Sequence, residues 1–98
     1  MIAIVTDSTC DIPAELRQGS DLIVVPALLN LGDQTLRDGI DITREAFYEL
    51  LPGLPSIPTT SAPGPVAFVE AYEDALRRAD SVVAVITASQ LSGLYNAA

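Results

Sequence analysis

The pattern of hydrophobic and polar positions divides the chain into short strands that alternate with helices. Ile2–Val5 and Leu22–Val25 are short runs rich in β-branched residues, and Ser81–Ile86 is a continuous apolar run. Continuous apolar runs of this length are typical of strands in a parallel sheet that is covered on both faces. We therefore predict that these three segments are the buried strands of one sheet.

Helical periodicity is strongest between Pro63–Pro65 and Ala79. The segment carries one apolar stripe with a spacing of 3.6 residues: Phe68, Val69, Tyr72, Ala75, Leu76 and Ala79. Shorter helices are predicted near Pro13–Leu16 and after Thr43, which is of the residue type that caps helix N-termini. A helix is also expected to begin near Leu91.

Alternating strands and helices predict an α/β fold, with an open, mostly parallel sheet flanked by helices. The segment from Ala27 to Arg37 contains the turn Gly32-Asp33-Gln34 and predicts a small β-hairpin at the margin of the sheet. Ligands of open α/β sheets bind at the carboxyl ends of the strands. Thr6–Thr9 and Thr87–Ser89 follow the first and last strands, so parallel pairing would bring both loops to the same edge.

Composition narrows the possible functions. The chain has 98 residues, the size of one domain, and a formal net charge of -8. This charge argues against nucleic acid as a partner, because phosphates require a basic surface, and against binding to anionic membranes. No apolar run is long enough for a membrane span, and one cysteine, Cys10, cannot form an internal disulfide. We therefore expect a cytoplasmic protein with no integral membrane segment.

The residue types that are missing exclude most catalytic chemistry. The chain contains no His and no Lys, so it has no imidazole base, no imidazole metal ligand and no lysine for a P-loop or Schiff base. Catalysis within this chain would depend on carboxylates alone. We therefore predict a binding protein that is not an enzyme and has no cofactor.

Two uncharged, hydroxyl-rich segments, Pro58–Gly64 and Thr87–Gly93, are the strongest candidates for a binding site. Each is predicted to lie where a loop enters a helix. Unpaired backbone N–H groups and the positive end of the helix dipole suit an anionic head group there. Local chemistry leaves alternatives open: Thr60-Ser61 could be an N-cap, and Ser92-Gly93 a turn or helix start. Glycine at position 93 would let a ligand approach the backbone closely.

Asp7 supports a different hypothesis. An aspartate that follows a strand could act as acid/base or metal ligand in a small-metabolite enzyme of a related α/β fold. It could also simply accept hydrogen bonds from neighbouring loop amides, which is a common role of Asp in loops. A third hypothesis is a purely structural or swapped-dimer module.

Five segments resemble, in order and approximate spacing, the motifs of the DegV family. They are Ile4–Pro13 (Ile-Val-Thr-Asp-Ser-Thr-Cys-Asp-Ile-Pro), Val24–Pro26, Arg37–Asp41, Pro58–Pro63 and Leu91–Tyr95. The resemblance covers essentially the whole chain. It implies a protein that binds a long-chain fatty acid, similar to the binding subunit of bacterial fatty acid kinase. Such a subunit presents the acid's carboxylate to a separate kinase catalytic subunit, which makes the acyl phosphate with ATP.

The resemblance also implies the site residues. A Thr-Ser pair and a Ser-Gly pair help to hold the carboxylate in the family, and the matching positions here are Thr60, Ser61, Ser92 and Gly93. Four positions depart from the family's pattern. They are Ala62 in place of a frequent Gln, Gly64 of Ser, Leu94 of Thr and Leu36 of Tyr.

Family members are considerably longer and have a second domain. We therefore expect residues 1–98 to be a truncated N-terminal α/β domain of this kind, without the family's C-terminal domain. On that interpretation the 98-residue chain binds lipid poorly on its own.

Overall fold

The computed structural model of the chain describes residues 1–17 and 22–98. The elements in chain order are β1 (Ile2–Asp7), α1 (Ala14–Arg17), β2 (Leu22–Val25), β3 (Leu28–Leu31), β4 (Gln34–Arg37), α2 (Arg44–Leu50), β5 (Thr59–Ser61), α3 (Pro65–Arg78), β6 (Ser81–Val85) and α4 (Leu94–Ala97). Short 3-10 turns follow β1 and α2.

The three predicted apolar strands form one parallel sheet in the order β2-β1-β6. Ile4 on the central strand lies opposite Leu22 on one side and Val83 on the other. The predicted parallel sheet is therefore confirmed. Because all three strands run in one direction, the loops that follow them emerge at a common edge.

Helix α3 covers one face of this parallel sheet. Its buried side chains are Phe68, Ala71 and Ala75, and they pack in one core with Ala3, Val5, Val25 and Leu94. The predicted helix is confirmed, although Val69 and Leu76 of the predicted stripe lie at its exposed margins.

The opposite face of the parallel sheet is open. Ile2, Ile4, Val83 and Val85 alternate with the core-facing residues of β1 and β6, and between 42% and 59% of each is exposed. The expectation of a sheet covered on both faces is therefore wrong for the described residues. The apolar run of β6 gave no indication of this, since it has the same composition whether its outer face is covered or open.

The predicted hairpin is confirmed, but it belongs to a larger structure. Strands β3 and β4 pair in antiparallel fashion around Gly32, whose φ of +62° is the left-handed conformation that favours glycine. Strand β5 pairs with the other edge of β3, which gives a second three-stranded sheet in the order β4-β3-β5.

Strand β5 corrects the position of the first hydroxyl-rich segment. Thr60 and Ser61 lie in this strand, and α3 begins only at Pro65. The residue at the N-cap is Gly64, which makes no side-chain capping bond. The expected loop-to-helix junction at Thr60-Ser61 is therefore wrong. Pro63 and Pro65 explain the difference, because each disfavours helical geometry at the residue before it and Pro65 is suited to the first helical position.

Side-chain oxygens bond to backbone N–H groups at the starts of two shorter helices, although only in α2 does the oxygen belong to the N-cap residue. Thr43 Oγ1 accepts a hydrogen bond from Ala46 N at 3.1 Å and begins α2, as predicted. The last helix begins at Leu94, three residues later than expected, and its first N–H group is held by Ser92 Oγ at 3.2 Å.

Truncation of Phe68 tests the core assignment. Phe68 is 1% exposed and packs between α3 and the sheet, so Phe68→Ala is expected to lower the free energy of unfolding by about 3–5 kcal/mol. Val69→Ala on the same helix is the control, because Val69 is half exposed and should cost below about 1 kcal/mol. Urea unfolding of both variants measures the difference, and equal losses would contradict the assignment.

Candidate functional site

A cavity of about 510 Å³ lies between the loops at the carboxyl edge of the parallel sheet and the second sheet. This volume is in the range of small-molecule sites. All four site residues implied by the sequence line it: Thr60, Ser61, Ser92 and Gly93. Two segments about thirty residues apart in the chain are thus brought to one place.

Strand geometry distinguishes the two hydroxyls of β5. Thr60 lies opposite Leu29 on β3, and both line the cavity. Ser61 and Thr59 point to the other face, where Asn30 Nδ2 donates to their hydroxyl oxygens at 3.5 Å and 3.2 Å. Successive side chains of a strand point to opposite faces, so Thr60 shares a face with Leu29, while Ser61, which also lines the cavity, shares one with Asn30.

Ser92 lines the cavity and is bonded to the start of the last helix. Its Oγ accepts from Leu94 N, and a serine hydroxyl has one hydrogen besides its acceptor lone pairs. That hydrogen is not used within the described residues. Leu94 is 3% exposed, and its side chain anchors the end of the segment that contains Ser92 and Gly93 in the core.

Gly93 is not required by the local backbone. Its φ is −69°, which any residue can adopt, and a Cβ added there would meet no atom within 4 Å. The absence of a side chain therefore leaves open space at the cavity wall. This is the property that close approach of a ligand to the backbone would need.

Asp7 connects the ends of β1 and β6. Its Oδ1 accepts from Thr9 N at 2.8 Å and from the Thr9 hydroxyl, and its Oδ2 accepts from Thr87 N at 2.9 Å and Thr87 Oγ1 at 3.0 Å. The side chain is 1% exposed. Thr9 and Thr87 both line the cavity, so this buried carboxylate forms part of the cavity's support.

Two opposing effects set the pKa of Asp7. Burial disfavours the charged form and by itself would raise the pKa, but hydrogen bonds from the Thr9 hydroxyl, the Thr87 amide, the Thr9 amide and the Thr87 hydroxyl outweigh it. The pKa is consequently held below its ordinary value of 3.8. Asp7 is therefore a carboxylate at neutral pH.

These bonds do not support the alternative role of Asp7 as acid/base or metal ligand. Both of its oxygens are engaged, and almost none of its surface is open to a substrate. Among residues 1–17 and 22–98, no group of three His, Cys, Asp or Glu side chains could hold a metal ion. The other interpretation of Asp7, as an acceptor for loop amides, fits these contacts.

Sequence patterns missed several residues of the cavity. Thr9, Leu29 and Asp38 also line it. Thr9 lies in the loop after β1, where the strand-edge rule predicted a site without identifying this residue. Leu29 lies on β3 and Asp38 directly follows β4, and no local sequence pattern predicted that either would reach this cavity.

The Arg37–Asp41 motif forms a closed turn beside the cavity. Arg37 Nε and a terminal guanidinium nitrogen donate to the two oxygens of Asp41 at 3.1 Å and 3.0 Å. Gly39 at the centre of the turn has a φ of +80°. The motif thus has a local structural role, and it carries Asp38 to the cavity wall.

None of the helices in the described part of the chain is long and apolar enough to cross a membrane. The longest, α3, has 14 residues and a polar face.

Comparison with protein families identifies the chain. The model of the DegV family, whose members are described as uncharacterised proteins, matches residues 1–98. The chain therefore belongs to the DegV family.

Known proteins of this family are longer than the chain. A DegV domain-containing protein of Caldanaerobacter subterraneus is 44% identical over 97 residues, which make up 99% of this chain and 34% of that protein. The crystal structure of DegV from Bacillus subtilis, described as a fatty acid binding protein, has a TM-score of 0.90 at 33% identity, and the match covers 99% of this chain and 34% of that one. A stearic acid-binding protein from Eubacterium ventriosum gives 0.89 at 31% identity, with the same coverage. The chain spans about a third of the length of these proteins.

The lowered pKa of Asp7 predicts a pH dependence of stability. A group whose pKa is depressed by folding contributes stability above its unfolded pKa and loses it as the pH falls through its folded pKa. The cost of Asp7→Asn in free energy of unfolding should therefore be largest near neutral pH and should shrink below about pH 4.

Thr6→Val is the matched control for this measurement. Thr6 is also buried and donates to Val85 O at 2.6 Å across the same pair of strands, but it does not titrate. Its cost should stay constant with pH in the same urea unfolding series. An Asp7→Asn cost that is equally constant would contradict the assignment of Asp7 as an ionised acceptor.

Proposed function

We propose that this protein binds a long-chain fatty acid and holds its carboxylate between Thr60-Ser61 on one side of the cavity and Ser92-Gly93 on the other. The single observation that carries the proposal is that these two segments line one cavity together with apolar side chains. The fatty acid ligands named for solved relatives support the same substrate class.

The cavity has the two chemical parts that a fatty acid requires. Hydroxyl groups of Thr60 and Ser92 supply donors for a carboxylate, while Leu29, Leu91 and Leu94 supply apolar surface. Thr9 and Thr87 differ from these donors, because each hydroxyl has one hydrogen and both take part in the bonds around Asp7. The hydroxyls of Thr60 and Ser92, and that of Ser61, which only accepts from Asn30, are therefore the ones that can donate to an anion.

Magnitudes assign different roles to tail and head group. A buried methylene contributes about 0.8 kcal/mol, so a long acyl tail contributes on the order of 10 kcal/mol. A hydrogen bond to a charged group contributes about 1.5–3 kcal/mol. The tail should thus dominate affinity, and the hydroxyls should set the register and orientation of the carboxylate.

A partner enzyme that acts on the carboxylate would require it to be held in a defined orientation. In our proposal the protein is a non-catalytic cytoplasmic subunit that presents the carboxylate to a separate fatty acid kinase subunit. The absence of His and Lys from the sequence supports a binding role. The net charge of -8 argues against nucleic acid as a partner.

The chain's length relative to its family bears on affinity. The match covers 34% of the Bacillus subtilis structure, and one face of the parallel sheet is exposed here. We infer that a second domain, which the family resemblance implies, completes the surface around the acyl tail. The 98-residue chain alone should accordingly bind fatty acid more weakly than a relative of full family length, when both are titrated side by side.

Removal of single hydroxyls tests the carboxylate site. In the full-length protein, Thr60→Val and Ser92→Ala should each weaken fatty acid binding by about 10-fold or more, since each removes a hydrogen bond to a charged group. Valine preserves the β-branched shape that suits a strand. Titration with radiolabelled stearic acid measures the dissociation constants.

Ser61→Ala is the matched control on the same strand. The Ser61 side chain lies on the Asn30 face, so its loss should change binding less than the loss of the Thr60 hydroxyl does. A fatty alcohol of the same length provides a second comparison, because it lacks the charge and should respond less to either variant. Unchanged stearic acid affinity in both Thr60→Val and Ser92→Ala would refute the head-group assignment.

Gly93→Ala separates binding from folding. The backbone conformation accepts alanine and the added Cβ meets no atom within 4 Å, so the free energy of unfolding should be unchanged or slightly higher. The new methyl group would occupy the space through which a carboxylate approaches the backbone, so stearic acid binding should weaken. Retained affinity would show that close approach at Gly93 is unnecessary.

A further inference from the structure

We infer that Asp7 is a positioning residue, whose carboxylate fixes Thr87 and thereby sets where Ser92 and Gly93 stand in the cavity. The inference rests on the proposed function, because it assigns a support to the same carboxylate site. Asp7 does not itself contact the ligand in this proposal, since it is 1% exposed behind the cavity wall.

The segment 87–93 is attached to the rest of the chain at its two ends. Its hydrogen bonds to the parallel sheet and the loop after β1 are made at one residue, Thr87, through its amide and its hydroxyl. Further along, Leu91 N donates to Ala88 O at 2.9 Å, which is a bond within the segment. The far end is held by the buried Leu94. The segment is thus a span between two fixed points, and Asp7 holds one of them.

A carboxylate is the group at position 7 that can hold Thr87 and Thr9 at once. Thr9 and Thr87 each present an amide N–H and a hydroxyl, so four donors converge on the two oxygens of Asp7. An ionised carboxylate has acceptor sites for all four and carries no hydrogen of its own. Asparagine would direct an NH2 group at donors, which breaks at least one of these contacts.

The hydrogen-bond network around Asp7 reaches the cavity through two threonines. Thr9 Oγ1 and Thr87 Oγ1 lie 2.5 Å apart and both line the cavity. A displacement of Thr87 would therefore move the cavity wall and the start of the span that ends in Ser92-Gly93. Misplacement of one head-group hydrogen bond corresponds to about a 10-fold loss of affinity.

Paired variants distinguish positioning from general stability. Asp7→Asn and Thr6→Val both remove buried hydrogen bonds between β1 and the region of β6. The partners of Asp7, Thr9 and Thr87, line the cavity, whereas Val85, the partner of Thr6, does not. We expect Asp7→Asn to weaken binding of radiolabelled stearic acid about 10-fold and Thr6→Val to change it less than about 3-fold, at a temperature where both remain folded. Equal losses in the two variants would overturn the inference.

A readout without ligand keeps this inference separate from the proposed function. In the ligand-free protein, the backbone amide resonances of Ser92 and Gly93 should shift in Asp7→Asn and stay in place in Thr6→Val. If wild type binds no stearic acid, the proposed function fails, while these resonances still decide whether Asp7 positions the segment. Unshifted resonances in Asp7→Asn would overturn the positioning role.

A second variant covers the case in which Asp7→Asn does not fold. Thr87→Val preserves the side-chain shape and the amide bond to Asp7 but removes the hydroxyl. It should shift the same Ser92 and Gly93 resonances and weaken stearic acid binding. Resonances identical to those of wild type would count against the inference.

Discussion

At the carboxyl end of β1, a buried carboxylate accepts hydrogen bonds from the loops that follow two neighbouring strands. Asp7 holds Thr9 just beyond its own strand and Thr87 just beyond β6. Parallel pairing brings these two loops together, but it does not by itself fix their conformation. A carboxylate with four donors does so, and burial strengthens each bond because water does not compete for the acceptors. The position of the cavity wall therefore depends on the hydrogen bonds from Thr9 and Thr87 to Asp7, which join the two loops at this edge of the sheet.

The second sheet supplies the opposite wall of the cavity. Two prolines explain why residues 59–61 form a strand of that sheet. Pro63 and Pro65 keep the residues before them extended, so the chain cannot enter α3 until Pro65. The hydroxyl-rich residues that precede them are left free to pair with β3 as an edge strand. Strand alternation then turns Thr60 and Leu29 to one face and Ser61 to the other. At a helix N-terminus, Thr60 and Ser61 would not have been divided between opposite faces in this way.

The sequence predicted the local parts of this structure better than the non-local ones. The apolar runs of β1, β2 and β6, the stripe around Phe68 and the cap at Thr43 follow from short-range periodicity and residue type, and each is present. The pairing of β5 with β3 joins residues about thirty positions apart, and neither segment signals the other. The order of family motifs predicts Thr60, Ser61, Ser92 and Gly93 as site residues, and only the folded chain places Thr60 and Ser61 on opposite faces of β5. Likewise, exposure of Val83 and Val85 could not be read from an apolar run.

A protein with a negative net charge can still bind an anion where local hydrogen-bond donors outweigh the surrounding carboxylates. The net charge is -8, but screening limits exposed charges to about 8–10 Å at cellular salt. Two carboxylates lie closer. Asp38 lines the cavity, and the charge of Asp7 is offset by the four donors that point at it. Those donors include the hydroxyls of Thr9 and Thr87, so under the proposed function the hydrogens that remain for a ligand are those of Thr60, Ser61 and Ser92. The same network thus supports the cavity wall and determines which of its hydroxyls can hold a carboxylate.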